Sequence, residues 1–143
     1  MRRPVVAAVC YRRLNNGIEF LLVHTTGGAY WTFPKGHVDP GEENVPWQSA
    51  AREALEEAGA LGVVEHEPFV RYAYYRHDLE MEGAVDAYLL EVEAQQEPEE
   101  PQRRPQWFAA EEANARLAEN RDEKYAAEHE KVIRAALQKL VSH

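Results

Sequence analysis

Only one cysteine, Cys10, stands in the 143 residues. That excludes an internal disulfide and any cysteine-based zinc cluster, and the apolar neighbours in "VVAAVCY" mark Cys10 as a small buried hydrophobe. Long apolar runs are missing too. Nothing approaches the ~18 consecutive residues of a membrane span, and the apolar stretch of "MRRPVVAAVCYRR" ends after seven residues at Arg12 and Arg13. A secretory signal would continue further and close on small residues, so a strand and a cytoplasmic location are expected, with no membrane partner. Positive charge is scarce: 16 Lys and Arg against 25 Asp and Glu leave a net charge of -9. Holding nucleic acid through counterion release needs a basic face. Stable nucleic-acid binding is therefore not expected, and a polyanionic substrate needs a local basic pocket or a bound cation.

What is present describes an ordinary globular chain, 45% hydrophobic and 29% charged, long enough for one domain with a core of its own. Oligomeric state has no signature in it. Residues 4–13 and 18–24 flank "LNNGIE", a hairpin signal because Asn and Gly tolerate positive φ. "WTF" is a short extended piece stopped by Pro34. From Pro34 to Pro46 the chain carries Gly36, Pro40 and Gly41, which predicts a loop without regular structure. Pro46 suits the first turn of a helix and Gly59 its C-terminal cap, predicting a helix over 46–58. Residues 62–76 and 84–92 are β-branched and aromatic, and predict a second antiparallel pair joined by "HDLEMEG". The stretch 93–105, with Pro98, Pro101 and Pro105, reads as a surface loop. "QWF" is a last short strand, "AEEANARLAEN" a short helix, and the spacing of Tyr125, His129, Val132, Ile133, Ala136, Leu137, Leu140 and Val141 predicts an amphipathic C-terminal helix.

The helix over 46–58 poses a question. At about 100° per residue, Glu53, Glu56 and Glu57 fall within an arc of about 100°, while Ala51, Ala54 and Ala58 lie on the far side. One face can enter the core against the sheet, and the Ala-rich surface permits close approach. The other gathers like charges, each pair costing roughly 0.2–0.5 kcal/mol when exposed and more in a cleft, where at least one pKa must rise. "EALEEA" alone is a common solvated helix face; the Gly/Pro-rich loop before it argues otherwise. A divalent cation removes the conflict, and oxygen-only ligands favour Mg²⁺ or Mn²⁺ over zinc.

Gly36, Glu42, Arg52, Glu53, Glu56, Glu57 and Gly59, in that order, resemble the Nudix box: Gly, five residues, Glu, seven residues, Arg-Glu-aliphatic-any-Glu-Glu-any-Gly-aliphatic. Two departures stand out. Nine residues, "ENVPWQSAA", separate Glu42 from Arg52, a two-residue insertion that would allow Glu43 to replace Glu42, and the aliphatic positions are the small Ala54 and Ala60. The resemblance implies an α+β fold, an α/β/α sandwich with a mixed sheet, the box loop and helix, and a C-terminal helix. It implies Mg²⁺ (or Mn²⁺) held by Glu56 and Glu57, with Glu53 a further ligand or the base that activates water. It also implies an Arg52 salt bridge orienting Glu53, a metal contact from the Gly36 carbonyl, and Glu42 as loop support. The activity implied is hydrolysis of nucleoside diphosphates linked to another group.

"YWTFPKGHVDPGE" further resembles the dinucleoside polyphosphate hydrolases, and "RRPQWFAAEEANARL" more loosely the diphosphoinositol polyphosphate and diadenosine hexaphosphate hydrolases. Lys35 is the candidate phosphate contact, with a solvated loop lysine as the alternative. His37 is a substrate candidate or a loop-stabilising residue. Tyr74 and Arg76 are candidates for base stacking and anion binding, with Tyr72, Tyr75 and Arg71 on the same strand. Arg103 and Arg104 either meet phosphates or form a surface patch. Glu80 and Glu82 are candidates for an additional acid from outside the box. Hydrolysis of nucleoside triphosphates or RNA 5′ ends, and a non-catalytic nucleotide-binding Nudix-like regulatory domain, are the alternatives.

Overall fold

The computed structural model describes residues 3–141. Its strands are β1 (Val5–Leu14), β2 (Gly17–His24), β3 (Trp31–Thr32), β4 (Lys35–His37), β5 (Ala60–Val64), β6 (Val70–Arg76), β7 (Met81–Gln95) and β8 (Gln106–Ala109), and its helices α1 (Pro46–Ala58), α2 (Ala110–Ala118) and α3 (Glu123–Val141). The backbone order β3-β2-β1-β7-β5 is extended by β4 on β1, β6 on β7 and β8 on β2. β1 and β7 run parallel while the other pairings are antiparallel, so the sheet is mixed and the architecture α+β.

Alternation along β1 divides the core into two layers. Val6, Ala8 and Cys10 face α1, where Ala50, Ala54 and Ala58 meet them. Ala7, Val9 and Tyr11 face the other way, into a cluster with Ala113 and Leu117 of α2 and Val132, Ile133, Ala136 and Leu140 of α3. The Ala stripe recurs every fourth residue, one face of a helix, so the centre of α1 lies against the sheet through methyl groups, with Trp47 packing at its start. Pro46 opens α1, and Gly59 closes it in the left-handed region at φ 67°. A Cβ at Gly59 would lie 1.9 Å from the Gln96 carbonyl oxygen, so only glycine fits.

Three expectations are corrected. Residues 35–37 form β4 rather than loop, pairing antiparallel with Val5–Ala7; Gly36 is there for a close approach, not for a turn. Residues 62–76 are two strands, β5 and β6, both laid on the long β7 and separated around Pro68. The stretch 93–105 is partly regular, since β7 continues to Gln95 and a 3-10 turn covers Pro101–Arg103. No helix among the described residues is long and apolar enough to cross a membrane.

Candidate active site

The site is built where β4 passes under α1. A Cβ at Gly36 would lie 2.3 Å from Glu53 Oε2, so the missing side chain is the space in which the Glu53 carboxylate rests on the strand. Glu57, one turn on, is 3% exposed. Burial pushes its pKa up to about 8, a hydrogen bond shared with Glu53 adds to the rise, and Arg103 and Lys35 oppose it. Glu53 is also raised, chiefly by burial. Glu56 is raised by burial and then by Glu99. Three neighbouring carboxyls thus all resist ionisation.

Arg52 does not pair with Glu53. Its guanidinium binds Asp39 Oδ2 at 2.5 Å and Glu42, and Ser49 Oγ donates to Glu42 Oε1 at 2.6 Å while accepting from the Asp39 amide at 3.2 Å. The expected Arg52–Glu53 salt bridge is therefore replaced by a clamp between helix and loop. Glu42, not Glu43, is at its centre; the Glu43 carboxylate accepts from the Gly41 amide. The two extra residues are absorbed without separating Glu42 from Arg52, because α1 starts at Pro46 and brings Arg52 back over the loop.

The additional acids beside the cluster come from 97–103. The Glu100 amide donates to the Glu56 carbonyl at 3.1 Å, and both Glu99 and Glu100 raise the Glu56 pKa. Arg103 follows, Nε to Glu100 Oε1 at 3.0 Å, Nη1 to the His24 carbonyl at 3.3 Å and Nη2 3.7 Å from Glu57 Oε2. Glu82 instead faces α3, on Lys124 Nζ at 2.6 Å and the Tyr125 hydroxyl at 3.1 Å, and Glu80 is in the β6–β7 turn with φ 50°. The Pro-rich stretch thus packs on α1, a long-range contact that only "EPEE" beside "RR" hinted at.

Lys35 points from β4 into a cavity of about 830 Å³ that also has Tyr74, Arg76, Arg121 and Tyr125 in its walls. Its Nζ lies 5.1 Å from the Tyr74 ring centroid. Burial pushes its pKa down to about 8 against the pull of Glu57, with Arg121, Arg103 and Arg76 lowering it further. The three acids of the box do not line this cavity; Lys35 links it to them. Of the remaining candidates, Tyr74, Tyr75 and Arg76 line it. Tyr72 is core, edge-on to Phe33 and His129. Arg71 pairs with Asp86 at 2.9 Å on the surface. His37 stays on β4 outside the cavity walls, with its pKa lowered by burial and then by Arg3 and Arg76.

Glu53, Glu56, Glu57 and the Gly36 carbonyl would supply only oxygen donors, the chemistry that hard divalent cations select. Among the described residues, no three His, Cys, Asp or Glu side chains are already gathered as a cation site. Burial pushes the Glu57 pKa up to about 8, so its carboxyl holds a proton at neutral pH. The donor set fits a hard cation that displaces it.

A NUDIX domain model matches residues 1–134, and the chain belongs to the Nudix family. It is similar to a Caenorhabditis elegans bis(5′-nucleosyl)-tetraphosphatase (asymmetrical), 55% identical over 51 residues, 35% of this chain and 36% of that protein. It is 34% identical over 121 residues to Arabidopsis thaliana Nudix hydrolase 4, 78% of this chain and 57% of that one. These matches therefore span about a third to just over half of the relatives' lengths. Among solved structures, a C. elegans Ap4A hydrolase binary complex superposes with a TM-score of 0.77 at 27% identity, covering 99% of this chain and 100% of that one.

Proposed function

We propose that the chain is a divalent-cation-dependent hydrolase, Mg²⁺ being the expected ion and Mn²⁺ a substitute, that cleaves phosphoanhydride bonds of nucleoside diphosphates linked to another group. Dinucleoside polyphosphates such as diadenosine tetraphosphate are the expected substrates. The observation that carries this reading is the junction at Lys35, where an acid cluster lacking sufficient positive charge adjoins a cavity with positive charge to spare. The matches to asymmetrical bis(5′-nucleosyl)-tetraphosphatase and Ap4A hydrolase support the same substrate class.

Glu53, Glu56, Glu57 and the Gly36 carbonyl would hold the cation. When bound, such a cation neutralises phosphate charge and lowers the pKa of water for attack at phosphorus. Glu53, held against Gly36, is positioned to take the water's proton. Arg52 fixes the helix to the loop through Asp39 and Glu42, which sets where Glu53 falls. Lys35 offers an ammonium to the phosphates, and a pKa near 8 leaves it mostly charged at neutral pH. Tyr74 and Arg76 receive the distal part of the substrate. Water rather than an alcohol as acceptor predicts two nucleotide products from a dinucleoside substrate.

The test is product analysis with Mg²⁺ on diadenosine tetra- and hexaphosphate, nucleoside triphosphates, ADP-ribose and a diphosphoinositol polyphosphate, wild type against Glu57→Gln. Cleavage of the diadenosine compounds, lost in the variant, is expected. Cleavage of another panel member alone would keep the acid cluster and overturn the substrate. Turnover nowhere would favour a nucleotide-binding domain.

A further inference from the structure

Lys35, Arg76 and Arg121 line the cavity of a chain whose net charge is -9, and a fourth cation, Arg103, also acts on Lys35. Three have an assigned task. Lys35 adjoins Glu57, Arg103 pairs with Glu100 and Glu57, and Arg76 pairs with Asp78 at 3.0 Å. Arg121, at the junction of α2 and α3, has no carboxylate within ion-pair distance among the described residues. Its Nη1 donates to the Trp31 carbonyl at 2.8 Å and the Leu117 carbonyl at 2.6 Å, and its guanidinium carbon lies 5.3 Å from the Tyr30 ring centroid.

The two carbonyl bonds hold Arg121 at the C-terminal end of α2, where the helix dipole favours a cation. They do not supply a negative charge. A guanidinium remains ionised at any working pH, and burying it without a counter-ion costs several kcal/mol unless a polar partner compensates. Here burial outweighs the other influences and lowers its pKa. The neighbourhood offers no relief. His129 is buried with Nδ1 bonded to the Tyr125 carbonyl at 2.7 Å, and the Tyr72 hydroxyl is buried without a partner in the protein. Both feel the Arg121 charge, and neither is anionic at neutral pH. Asp78 and Asp122 also line the 830 Å³ cavity, Asp78 pairing with Arg76, but among the described residues neither lies within ion-pair distance of Arg121.

We propose that Arg121 is a specificity-determining residue, the counter-cation for the stretch of the substrate's phosphate chain farthest from the acid cluster. This rests on the functional reading above and adds a second anion-recognition point beyond Lys35. The carbonyl bonds explain why arginine suits the position: Nη1 alone is anchored by the two protein oxygens, and the guanidinium of this cavity-lining residue has further donors for a phosphate. A chain long enough to span from the box acids past Lys35 to Arg121 gains the contact. A short one does not.

The direct test is isothermal titration of inorganic tripolyphosphate, without metal, into wild type, Arg121→Gln and Arg121→Lys, with melting curves for each. Binding to Arg121→Gln about tenfold weaker than wild type, with Arg121→Lys between them, is expected; equal affinity for wild type and Arg121→Gln overturns the proposal. If Arg121→Gln does not fold, Ala29→Glu carries the test, placing a carboxylate in the cavity wall while leaving the carbonyl bonds intact, and it must weaken binding similarly. In kinetics, Arg121→Gln should raise KM for diadenosine tetraphosphate with kcat changed less than about threefold, and should leave KM for a nucleoside triphosphate nearly unaltered; a uniform fall in kcat overturns the specificity role. If tripolyphosphate binding depends on Arg121 and wild type cleaves no dinucleoside substrate, the functional reading falls while this inference stands.

Discussion

The acid cluster under α1 and the cationic cavity beside α3 are opposite solutions to the same problem. On the α1 side, Glu53, Glu56 and Glu57 share one helical face and all three pKa values are raised, chiefly by burial. On the cavity side, Lys35, Arg76 and Arg121 line one space, and burial, then Arg121, Arg103 and Arg76, lower the Lys35 pKa against the pull of Glu57. Each region is held by packing that has nothing to do with charge: the alanine stripe presses α1 onto the sheet, and the apolar face of α3 covers the other layer. Electrostatic frustration is tolerated because the cores on both faces of the sheet hold these elements in place. On the proposed function, a divalent cation would relieve it on one side and a polyanion on the other, with Lys35 between them.

The strongest way to break this comparison is at the acids. Glu57→Gln should lower kcat/KM on the order of 10³-fold, the scale at which loss of a preorganised charge is felt, yet thermal stability should hold or rise, because a repelling buried carboxyl is removed. A variant that instead melts early would show Glu57 to be structural. Next is Gly36→Ala, whose Cβ cannot coexist with the observed Glu53 position. It should cost about 10²-fold in turnover and roughly 1–3 kcal/mol in stability, measured by chemical denaturation. A stable, fully active Gly36→Ala would mean that the carboxylate does not work from that cradle.

Proton release sharpens the contrast. Cation binding must displace the proton held with a pKa of about 8 at Glu57, so below that value affinity for Mg²⁺ should rise with pH, up to about tenfold per unit, and flatten above it. Titration calorimetry in buffers of different ionisation enthalpy reads the released proton; pH-independent affinity would contradict a protonated Glu57.

The smallest effect is on the cavity side. Burial and then Arg121 push the pKa of His129 from its usual 6.5 down to about 3. Between those values the unfolded chain binds a proton that the folded one refuses, so stability is complete above about 6.5 and falls as pH drops, by up to about 1.4 kcal/mol per unit. His129→Phe should remove this slope, seen in urea midpoints between pH 6.5 and 4.5. An unchanged slope would assign the acid sensitivity elsewhere.

Much of this was readable from residue order, where the interactions are local. The hairpin at "LNNGIE", the helix between Pro46 and Gly59, and the facing of Glu53, Glu56 and Glu57 depend on φ preferences and helical period. The box spacing carried the family across a two-residue insertion because Arg52 and Glu42 find each other through the clamp. The errors came where partners are far apart in sequence. β4 looked like loop because Gly36 serves Glu53 rather than the strand, and the break between β5 and β6 was hidden because both pair with one long strand. Glu82 was a reasonable additional acid until β7 aimed it at Lys124.

By itself, then, the sequence determined the charge scarcity that demands a cation or a basic pocket, the periodicities of its strands and helices, and which carboxylates share a helical face. Those follow from composition and from interactions within about one helical turn or one hairpin. Only tertiary structure decided that Arg52 grips Asp39 and Glu42, that "EPEEPQRR" folds back to bring Glu100 and Arg103 beside Glu57, and that Arg121 lines the cavity with no carboxylate within ion-pair distance among the described residues. Such contacts join residues from 10 to more than 40 positions apart, and they exist only after two layers of core have fixed where the sheet and helices lie.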